Sequence, residues 1–335
     1  MFTGNGAGDR PTGARILGLG TYRPARVVTN AEICAPLDST DEWIRQRSGI
    51  VSRRFAGPDE TVLTMAVRAG CDAAERSGVA PDRIDAVLLA SMSYLTQSPP
   101  AAPEIAHRIG AAGAAAFDIG AACAGFCHGL AVADALVRAG SARHVLVIGS
   151  EKMTDIIDPK DRSTAFLFGD GAGAALVGPA DGNGVGPVVW GSDGERSGLI
   201  AHSDSWLAVG SRPDFWPTMR MAGPEVFRWA IQTVPVVGRA ALDRAGLTVG
   251  DLAAFVPHQA NARIIDRLAA ALDLPPEVRV ARDIETAGNT SAASVPLALD
   301  TLLTQHPESA GRPALLIGFG AGLCHAALTA TLPAP

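Results

Sequence analysis

Residues 123–150 have the sequence "CAGFCHGLAVADALVRAGSARHVLVIGS", and their pattern recurs in the second half of the chain. An apolar helix that begins with Cys123 is followed by the β-branched strand "RHVLVIGS". In the second half, "GNTSAASVPLALDTLL" is followed in the same way by the strand "PALLIGFG". Cys123 precedes Gly149 by 26 positions, and Ser291 precedes Gly318 by 27 positions. We infer that the chain contains a duplicated structural unit.

Strands and helices alternate along both halves. The strand "IDAVLLAS" precedes the first of these units and "LAAFVPHQ" precedes the second, while "ARILGLGTY" and "GAALVG" are further predicted strands. A long helix is predicted for residues 224–246. The segment "TVLTMAVRAGCDAAERSG" is also predicted to be a helix, because apolar residues recur in it at helical spacing: Val62, Met65, Ala66, Ala69 and Ala73. This alternation predicts a layered α/β fold with mainly parallel sheets.

The boundary between the two halves is predicted in the Gly- and Pro-rich segment "GPADGNGVGP", residues 178–187. We therefore expect an N-terminal half at residues 15–180, which carries Cys123, and a C-terminal half at residues 181–335. Residues 1–14 are polar and rich in glycine, and they are predicted to be a flexible tail.

Composition excludes several classes of protein. The chain has 335 residues, of which 47% are hydrophobic, so it can form one large core or two ordinary ones. Its net charge of −6 and the lack of basic runs argue against nucleic-acid binding. No apolar stretch reaches the roughly 18 to 20 residues that cross a bilayer, so no membrane insertion is expected. The cysteines are odd in number and form no C-x2-C pair, which predicts reduced thiols in the cytoplasm and no metal site: Cys34, Cys71, Cys123, Cys127 and Cys324.

Cys123 is a candidate nucleophile. A thiol at the N-terminus of a helix has a lowered pKa, because unpaired backbone N–H groups and the helix dipole favour the thiolate. Its neighbours Ala121, Ala122, Ala124 and Gly125 are small, so a substrate can approach closely. The alternative is a structural cysteine buried in an Ala-rich helix, which is the interpretation favoured for Cys127.

The second half supplies possible partners for this thiol. His258 follows the apolar strand that ends at Pro257, and strand C-termini are where open α/β sheets build their sites. Asn289 follows Gly288 at the head of the helix that matches the Cys123 helix. If the halves are related by pseudo-symmetry, the two helix starts converge. Taken singly, a histidine such as His258 is more often structural, and an asparagine such as Asn289 is more often a helix N-cap.

Several motifs in the same order resemble those of ketoacyl-ACP synthase III, namely "TDEWIRQRSGI", "ACAGF", "FGDGAGAAL", "MAGPEVF", "VPHQANARII" and "GNTSAASVPLALD". The likeness runs from about residue 14 to the C-terminus. It implies the thiolase fold, in which two βαβαβαββ halves form five α-β-α-β-α layers. It also implies a homodimer and a catalytic triad of Cys123, His258 and Asn289.

The resemblance implies a reaction in two steps. A starter acyl-CoA first acylates Cys123, and the oxyanion is held by the backbone N–H groups of Cys123 and Ala321. Malonyl-ACP then loses carbon dioxide, and His258 and Asn289 donate hydrogen bonds to the enolate before it attacks the acyl group. An amide at position 289 favours this chemistry, because an ionised Asp cannot donate. No cofactor is needed, since coenzyme A enters as part of the substrate.

Substrate contacts also follow from the resemblance. Trp43 and Arg47 are expected to sandwich the CoA adenine, with Arg162 assisting, and Asn261 is expected to hydrogen-bond the pantetheine arm. Arg263 is predicted to meet the acidic carrier protein; Arg228 is a second candidate, for which a solvated surface charge is equally plausible. Ser98 is the residue expected to enter the partner subunit's acyl pocket, and its small size predicts starters larger than acetyl. The remaining wall of the tunnel is assigned to Phe168, Met221, Gly223, Phe227 and Phe319.

Other functions were weighed against condensation. A related enzyme could transfer an acyl group from a thioester to an acceptor without decarboxylation, and a noncatalytic partner subunit is a third class, which the complete triad disfavours. A degradative thiolase requires a second catalytic cysteine where Phe319 stands. The glycine-rich segments "GLGTYR" and "GDGAGA" lack the remaining features of nucleotide-binding loops and are attributed to close packing.

Overall fold

The computed structural model of the chain describes residues 11–182, 184–212 and 215–334. Strands and helices alternate along this described part. The strands are β1 Gly13–Tyr22, β2 Arg26–Thr29, β3 Ser52–Phe55, β4 Ala86–Ala90, β5 Ala115–Ile119, β6 Val145–Glu151, β7 Gly171–Ala180, β8 Val189–Gly191, β9 Ile200–His202, β10 Met219–Met221, β11 Ala254–Pro257, β12 Arg279–Val280, β13 Pro313–Phe319 and β14 His325–Thr331. The α-helices are α1 Asn30–Cys34, α2 Asp41–Ser48, α3 Val62–Ser77, α4 Ala101–Ile109, α5 Gly125–Arg138, α6 Gly223–Ala245, α7 Ala262–Ala271, α8 Ile284–Ala287 and α9 Ser294–Gln305.

Two five-stranded sheets of identical topology organise the described residues. The first has the order β1-β7-β6-β4-β5, and the second has the order β8-β14-β13-β11-β12. In each sheet the last three strands run parallel and the first two pairings are antiparallel. The prediction of mainly parallel sheets was therefore wrong. β7 and β14 follow β6 and β13 without an intervening α-helix, so the chain returns in the opposite direction.

The helices form layers around these sheets. Helices α3 and α4 cover the outer face of the first sheet, and their buried apolar residues include all five of the predicted helix positions from Val62 to Ala73. Helices α5 and α9 lie between the two sheets and share one core with both. Helices α6 and α7 cover the outer face of the second sheet. The result is the α-β-α-β-α arrangement of two βαβαβαββ halves that the resemblance predicts.

The two halves meet through the starts of their central helices. A 3-10 turn at Ala122–Ala124 leads into α5, and one at Ser291–Ala293 leads into α9. The positive φ angles of +44° and +47° fall on Ala122 and Ser291, so Ala292 rather than Ser291 is the counterpart of Cys123. The match made from the sequence was therefore off by one residue. With Ala292 as the counterpart, the spacing from the helix start to the strand glycine is the same in both halves.

Glycines allow this close approach. A Cβ atom on Gly149 of β6 would lie 2.3 Å from the carbonyl oxygen of Ala292, and one on Gly318 of β13 would lie 2.9 Å from Cα of Ala124. Real Cβ contacts are not this short. Each central strand thus carries a glycine against which the helix start of the other half packs.

The boundaries of several predicted segments differ from the structure. β1 begins at Gly13, so the last two residues of the predicted tail belong to a strand, and residues 1–10 lie outside the described part. β7 continues to Ala180, so the predicted junction begins inside a strand. All five cysteines are free. Among the described residues, no helix is long and apolar enough to span a bilayer, and no group of three His, Cys, Asp or Glu side chains is arranged to hold a metal ion.

Candidate active site

A cavity of about 870 Å³ brings residues from both halves together. It contains the three side chains of the predicted triad and most of the predicted substrate contacts. Its walls include Trp43, Arg47, Met92, Cys123, Arg162, Phe166, Phe168, Met221, Gly223, Phe227, Arg228, Trp229, His258, Asn261, Arg263, Asn289, Phe319 and Gly320.

Cys123 lies in the 3-10 turn that precedes α5 and is 8% exposed. The C-terminal glycine-rich loop closes over it, because a Cβ atom on Gly320 would lie 2.7 Å from the Cys123 Cβ and 2.9 Å from its Sγ. The backbone N–H groups of Cys123 and Ala321 reach the thiol. The loop therefore brings the two predicted oxyanion donors to one sulfur atom.

Its surroundings raise the pKa of the Cys123 thiol and so favour its protonated form. Burial raises its pKa to about 12, although the nearby Ser291 hydroxyl and the backbone N–H groups of Cys123 and Ala321 act in the opposite direction. The negative charge of Glu151 raises the pKa further. The prediction of a lowered thiol pKa at the helix start was thus wrong, because desolvation outweighs the dipole and the hydrogen bonds.

His258 follows β11 and is held as a neutral ring. Its side chain is buried, and burial lowers its pKa to about 3. Nδ1 lies 2.6 Å from Oγ of Ser294, the first residue of α9. The Ser294 oxygen already accepts the N–H of Gln259 at 3.3 Å, so its own proton is available to Nδ1. We assign the proton of the ring to Nε2, which leaves a hydrogen-bond donor for the cavity.

Asn289 is fixed by its backbone and by one end of its amide. Its N–H donates to the carbonyl of Leu167 at 2.8 Å, and its carbonyl accepts from Gly169 at 3.1 Å. The side-chain Oδ1 accepts the N–H of Ser291 at 2.9 Å. Because Oδ1 is engaged in this way, Nδ2 is the end of the amide that is free to donate into the cavity. The N-cap of this turn is Thr290, so the alternative of Asn289 as the N-cap residue was wrong, although its Oδ1 does accept a backbone N–H at the start of the turn.

The predicted adenine contacts form an aromatic and cationic cluster in the wall of the cavity. The guanidinium carbon of Arg162 lies 4.8 Å from the centre of the Trp43 ring, and that of Arg47 lies 5.6 Å from it. Phe166 packs edge-on against the same indole at 5.1 Å. Arg162, expected only to assist, is thus closer to Trp43 than Arg47 is.

Asn261 and the two predicted carrier contacts line the same cavity. Asn261 caps α7, because its Oδ1 accepts the N–H of Arg263, and its Nδ2 donates to the carbonyl of Arg47 at 3.0 Å. Arg263 is exposed, and its guanidinium lies 5.8 Å from the Phe227 ring. Arg228 forms an ion pair with Glu225 at 2.9 Å. Within the described residues Arg263 has no ion-pair partner, so it is the more available cation.

Ser98 does not line the cavity of its own chain. It lies in an exposed segment, and Met92 lines the cavity instead. The sequence analysis assigned no role to Ser294 or Glu151 and used Ser291 only to align the two halves. In the structure Ser294 contacts His258, the N–H of Ser291 donates to Asn289, and the charge of Glu151 acts on Cys123. The signal available for Glu151 was its position at the C-terminal end of the buried strand "VLVIGSE", and the signal for Ser294 was its place in the motif "GNTSAAS".

Comparisons with known proteins agree with this arrangement. The family models described as 3-oxoacyl-[acyl-carrier-protein (ACP)] synthase III, for the protein and for its C-terminal part, match residues 117–194 and 242–332. The chain is 53% identical to a β-ketoacyl-[acyl-carrier-protein] synthase III of Streptomyces lividans, across 96% of this chain and 95% of that protein. It is 46% identical to a mycobacterial β-ketoacyl-[acyl-carrier-protein] synthase III of Mycobacterium avium, across 96% of this chain and 97% of that protein.

Solved structures show the same similarity. The priming β-ketosynthase from the R1128 polyketide biosynthetic pathway superimposes with a TM-score of 0.96 at 51% identity, covering 99% of this chain and 100% of that one. The 3-oxoacyl-[acyl-carrier-protein] synthase III of Aquifex aeolicus superimposes with a TM-score of 0.88 at 36% identity, covering 95% and 99% of the two chains. The fold is the thiolase fold. On these matches, the chain belongs to the 3-oxoacyl-[acyl-carrier-protein] synthase III family.

Proposed function

We propose that this chain condenses a starter acyl group carried on Cys123 with malonyl-ACP to give a 3-ketoacyl-ACP, in the initiation of fatty-acid or polyketide chains. The observation that carries the proposal is the pair of hydrogen-bond donors that share one cavity with the thiol. His258 is neutral, with Nε2 available, and Asn289 has its Nδ2 available. An enolate oxygen needs two such donors.

In the first half-reaction, the sulfur of Cys123 attacks the thioester carbon of an acyl-CoA, and the CoA thiolate leaves. The oxyanion that forms accepts hydrogen bonds from the N–H groups of Cys123 and Ala321, both of which reach the sulfur position. Each such donor is typically worth about 3 kcal/mol of barrier. Arg162, Arg47 and Trp43 offer the flat cationic and aromatic surfaces on which an adenine can stack.

In the second half-reaction, the bond between the malonyl carboxylate and the α-carbon breaks. Carbon dioxide leaves, and the electron pair moves to the thioester oxygen, where His258 and Asn289 stabilise it. The enolate carbon then attacks the acyl carbon, and the sulfur of Cys123 leaves. Neither step requires a metal or a redox cofactor, since the loss of carbon dioxide drives bond formation.

Two protein contacts belong to this proposal. Arg263 is exposed at the cavity mouth and suits the acidic carrier protein. A second copy of this chain is the proposed partner of β5, an edge strand whose Phe117 is 41% exposed. Edge strands with exposed apolar side chains are normally covered in the functional assembly. The proposed location is the cytoplasm.

The experiment that tests the proposal is incubation with an acyl-CoA and malonyl-ACP labelled in its carboxyl group. Release of labelled carbon dioxide together with a ketoacyl-ACP two carbons longer than the starter is expected. Transfer of an unchanged acyl group to the carrier protein, without carbon dioxide release, would instead identify a non-decarboxylative acyltransferase.

A further inference from the structure

A buried arginine that the proposed reaction does not use contacts the aromatic and cationic cluster of Trp43 from inside the protein. Arg53 belongs to β3 and is 0% exposed. No Asp or Glu forms an ion pair with it in the part of the chain that the structure describes. Burial lowers the pKa of its guanidinium to about 10, so the group is still charged at neutral pH. A buried charge without a direct counterion is costly unless neutral acceptors surround it, so the hydrogen bonds of Arg53 are important for this region.

The guanidinium of Arg53 contacts one of the two segments that form the cluster and reaches the other through a buried amide. Nη2 donates to the carbonyl of Phe166 at 2.7 Å, and the ring of Phe166 packs edge-on against Trp43. Nη1 donates to Oδ1 of Asn30 at 2.8 Å. Asn30 is itself only 1% exposed. One planar group thus connects the segment of Phe166 to Asn30.

Asn30 extends this connection to both ends of α2, the helix that carries Trp43 and Arg47. Its Nδ2 donates at 2.6 Å to Oδ1 of Asp41, the first residue of α2. The same nitrogen donates at 2.8 Å to the carbonyl of Ile50, two residues beyond the end of the helix. Because α2 has only eight residues, contacts at its two ends fix its position.

The arginine also determines which way the amide of Asn30 points. A guanidinium has donors only, so the amide must turn its oxygen toward Arg53. Its nitrogen is then directed at Asp41 and Ile50, which both offer acceptor oxygens. A side chain at position 53 that does not donate would remove this constraint. The position of α2 therefore depends on Arg53 through Asn30.

We propose that Arg53 is a positioning residue for the binding of the adenosine end of coenzyme A. It holds α2 through Asn30 and the opposite segment through the carbonyl of Phe166, so it sets how Trp43 and Phe166 meet. Arg53 does not contact the substrate in this proposal, because it is buried and is not among the described residues that line the cavity. The inference rests on the adenine contacts of the proposed function.

The test compares acyl-CoA with the same acyl group on pantetheine, which has the thioester arm but no adenosine. Arg53→Lys keeps the charge but replaces the two amino groups that reach Asn30 and Phe166 with one. The rate of Cys123 acylation at thioester concentrations below KM should fall about tenfold or more with acyl-CoA and should change less than about twofold with acyl-pantetheine. Equal losses with both thioesters, or no loss with acyl-CoA, would overturn the inference.

Two further variants separate positioning from general damage to the fold. Asn30→Asp keeps an oxygen for Arg53 but removes the donor that reaches Asp41, so it should show the same selective loss with acyl-CoA; it also decides the matter if Arg53→Lys does not fold. Arg23→Lys is the matched control, because Arg23 is a partly buried arginine that pairs with Asp283 at 2.9 Å away from the cavity wall. Its ratio of the two rates should stay within about twofold of wild type. A wild-type ratio in Asn30→Asp, or a ratio in Arg23→Lys as low as in Arg53→Lys, would refute the proposed role.

Calorimetric titration with adenosine 3′,5′-bisphosphate, the adenosine end of coenzyme A without its thioester arm, requires no acylation. Arg53→Lys should weaken this binding about tenfold. A wild type that does not bind the bisphosphate, or a variant that binds it equally well, would overturn the inference. A chain that binds it as expected but releases no carbon dioxide from malonyl-ACP would instead contradict the proposed function alone.

Discussion

His258 and Asn289 are each held by one end, which suits them to the donor role proposed for them. The ring nitrogen Nδ1 faces the hydroxyl of Ser294, and Oδ1 of Asn289 accepts the N–H of Ser291. The opposite ends, Nε2 and Nδ2, are therefore oriented without further reorganisation. Preorganised donors of this kind stabilise charge as it develops. In the proposed reaction they act in the decarboxylation step, since backbone N–H groups are the proposed donors to the oxyanion of the acylation step.

We expect His258→Ala and Asn289→Ala each to lower the rate of condensation by about 100- to 1000-fold, the usual effect of removing one such donor. Acylation of Cys123 by acyl-CoA should change less than tenfold. Rapid-quench measurement of the two steps with one batch of each variant provides the comparison. Equal losses in both steps would contradict separate roles for these two side chains.

The burial of His258 also predicts how stability depends on pH. Its pKa is about 3 in the folded chain and 6.5 when unperturbed, so between these values the unfolded chain binds a proton that the folded chain does not. The contribution of this group to the free energy of unfolding is therefore fully present above pH 6.5 and is lost as the pH falls from 6.5 toward 3. At pH 4.5 the loss from this group is about 3 kcal/mol.

Chemical denaturation of wild type and His258→Gln at pH 7 and pH 4.5 measures this effect, because the other titrating groups are common to both. The wild type should lose about 3 kcal/mol more than the variant on acidification. An equal loss in both chains would mean that the ring is protonated in the folded protein.

At the scale of elements, the site depends on helix starts that approach glycines of the opposite half. Gly318 and Gly320 at the end of β13 allow the Cys123 turn to pack against the second sheet, and Gly149 of β6 does the same for Ala292. The proposed nucleophile and its proposed donors come from different halves, so this contact sets the distance between them.

Gly320→Ala should lower the acylation rate of Cys123 more than tenfold, because the added Cβ would overlap the Cys123 Cβ and Sγ and displace the loop that carries the N–H of Ala321. Gly113→Ala is the control, since nothing lies within 4 Å of a Cβ at that position. The measurement is the burst of acyl-enzyme in a rapid-quench experiment. Wild-type acylation in Gly320→Ala would show that the loop does not need this close approach.

The strands that the sequence predicted correctly are those with strong apolar runs, such as β4 and β6, which are buried throughout. β5 and β14 were missed, as were the short strands β2, β3, β8, β9, β10 and β12. β5 has the sequence "AAFDI", in which three of five residues are exposed, and β14 has "HAALTAT", which is rich in alanine. Neither contains a run of β-branched residues, so tertiary pairing rather than local propensity determines these strands.

The sequence predicted which residues form the site better than it predicted their pKa values and hydrogen bonds. The triad side chains and most tunnel residues were found because motifs carry their identity, and the cavity contains them. The raised pKa of the thiol was not foreseen, because it depends on how completely the second half buries Cys123. The carboxylate of Glu151 was not foreseen either, since its hydrogen bonds come from segments far apart in the sequence, at Ser93 and Ala292.

At the scale of the whole molecule, the first sheet ends in an exposed edge. β5 has a neighbour on one side only, and its Phe117 is 41% exposed. Pairing of β5 with β5 of a second copy would join the two first sheets and cover this side chain. This arrangement satisfies the unpaired backbone groups of the edge.

Phe117→Glu should shift the chain from dimer to monomer, because two glutamates would face each other across the proposed contact. Analytical ultracentrifugation over a range of concentrations measures the change. Leu207→Glu is the control, since Leu207 is 89% exposed in a segment distant in sequence from β5. A wild-type monomer, or a Phe117→Glu variant that remains dimeric, would contradict this contact.

The proposed dimer also bears on the starter group. Ser98 is exposed in its own chain, and the resemblance assigns it to the partner's acyl pocket. Because serine is small, isobutyryl-CoA should be turned over at least as well as acetyl-CoA, and Ser98→Phe should favour acetyl-CoA. Competition between the two thioesters in one assay measures the ratio. A strong acetyl preference in the wild type would refute the prediction.

The central claim is that Cys123 carries the acyl group until His258 and Asn289 drive its condensation. In the most direct measurement, the protein is acylated with radiolabelled acyl-CoA, the label is mapped to a peptide, and malonyl-ACP is then added. The label should lie on Cys123, should disappear into ketoacyl-ACP in the wild type, and should remain on the protein in Asn289→Ala. Label on another residue, or label that malonyl-ACP does not remove from the wild type, would contradict the account.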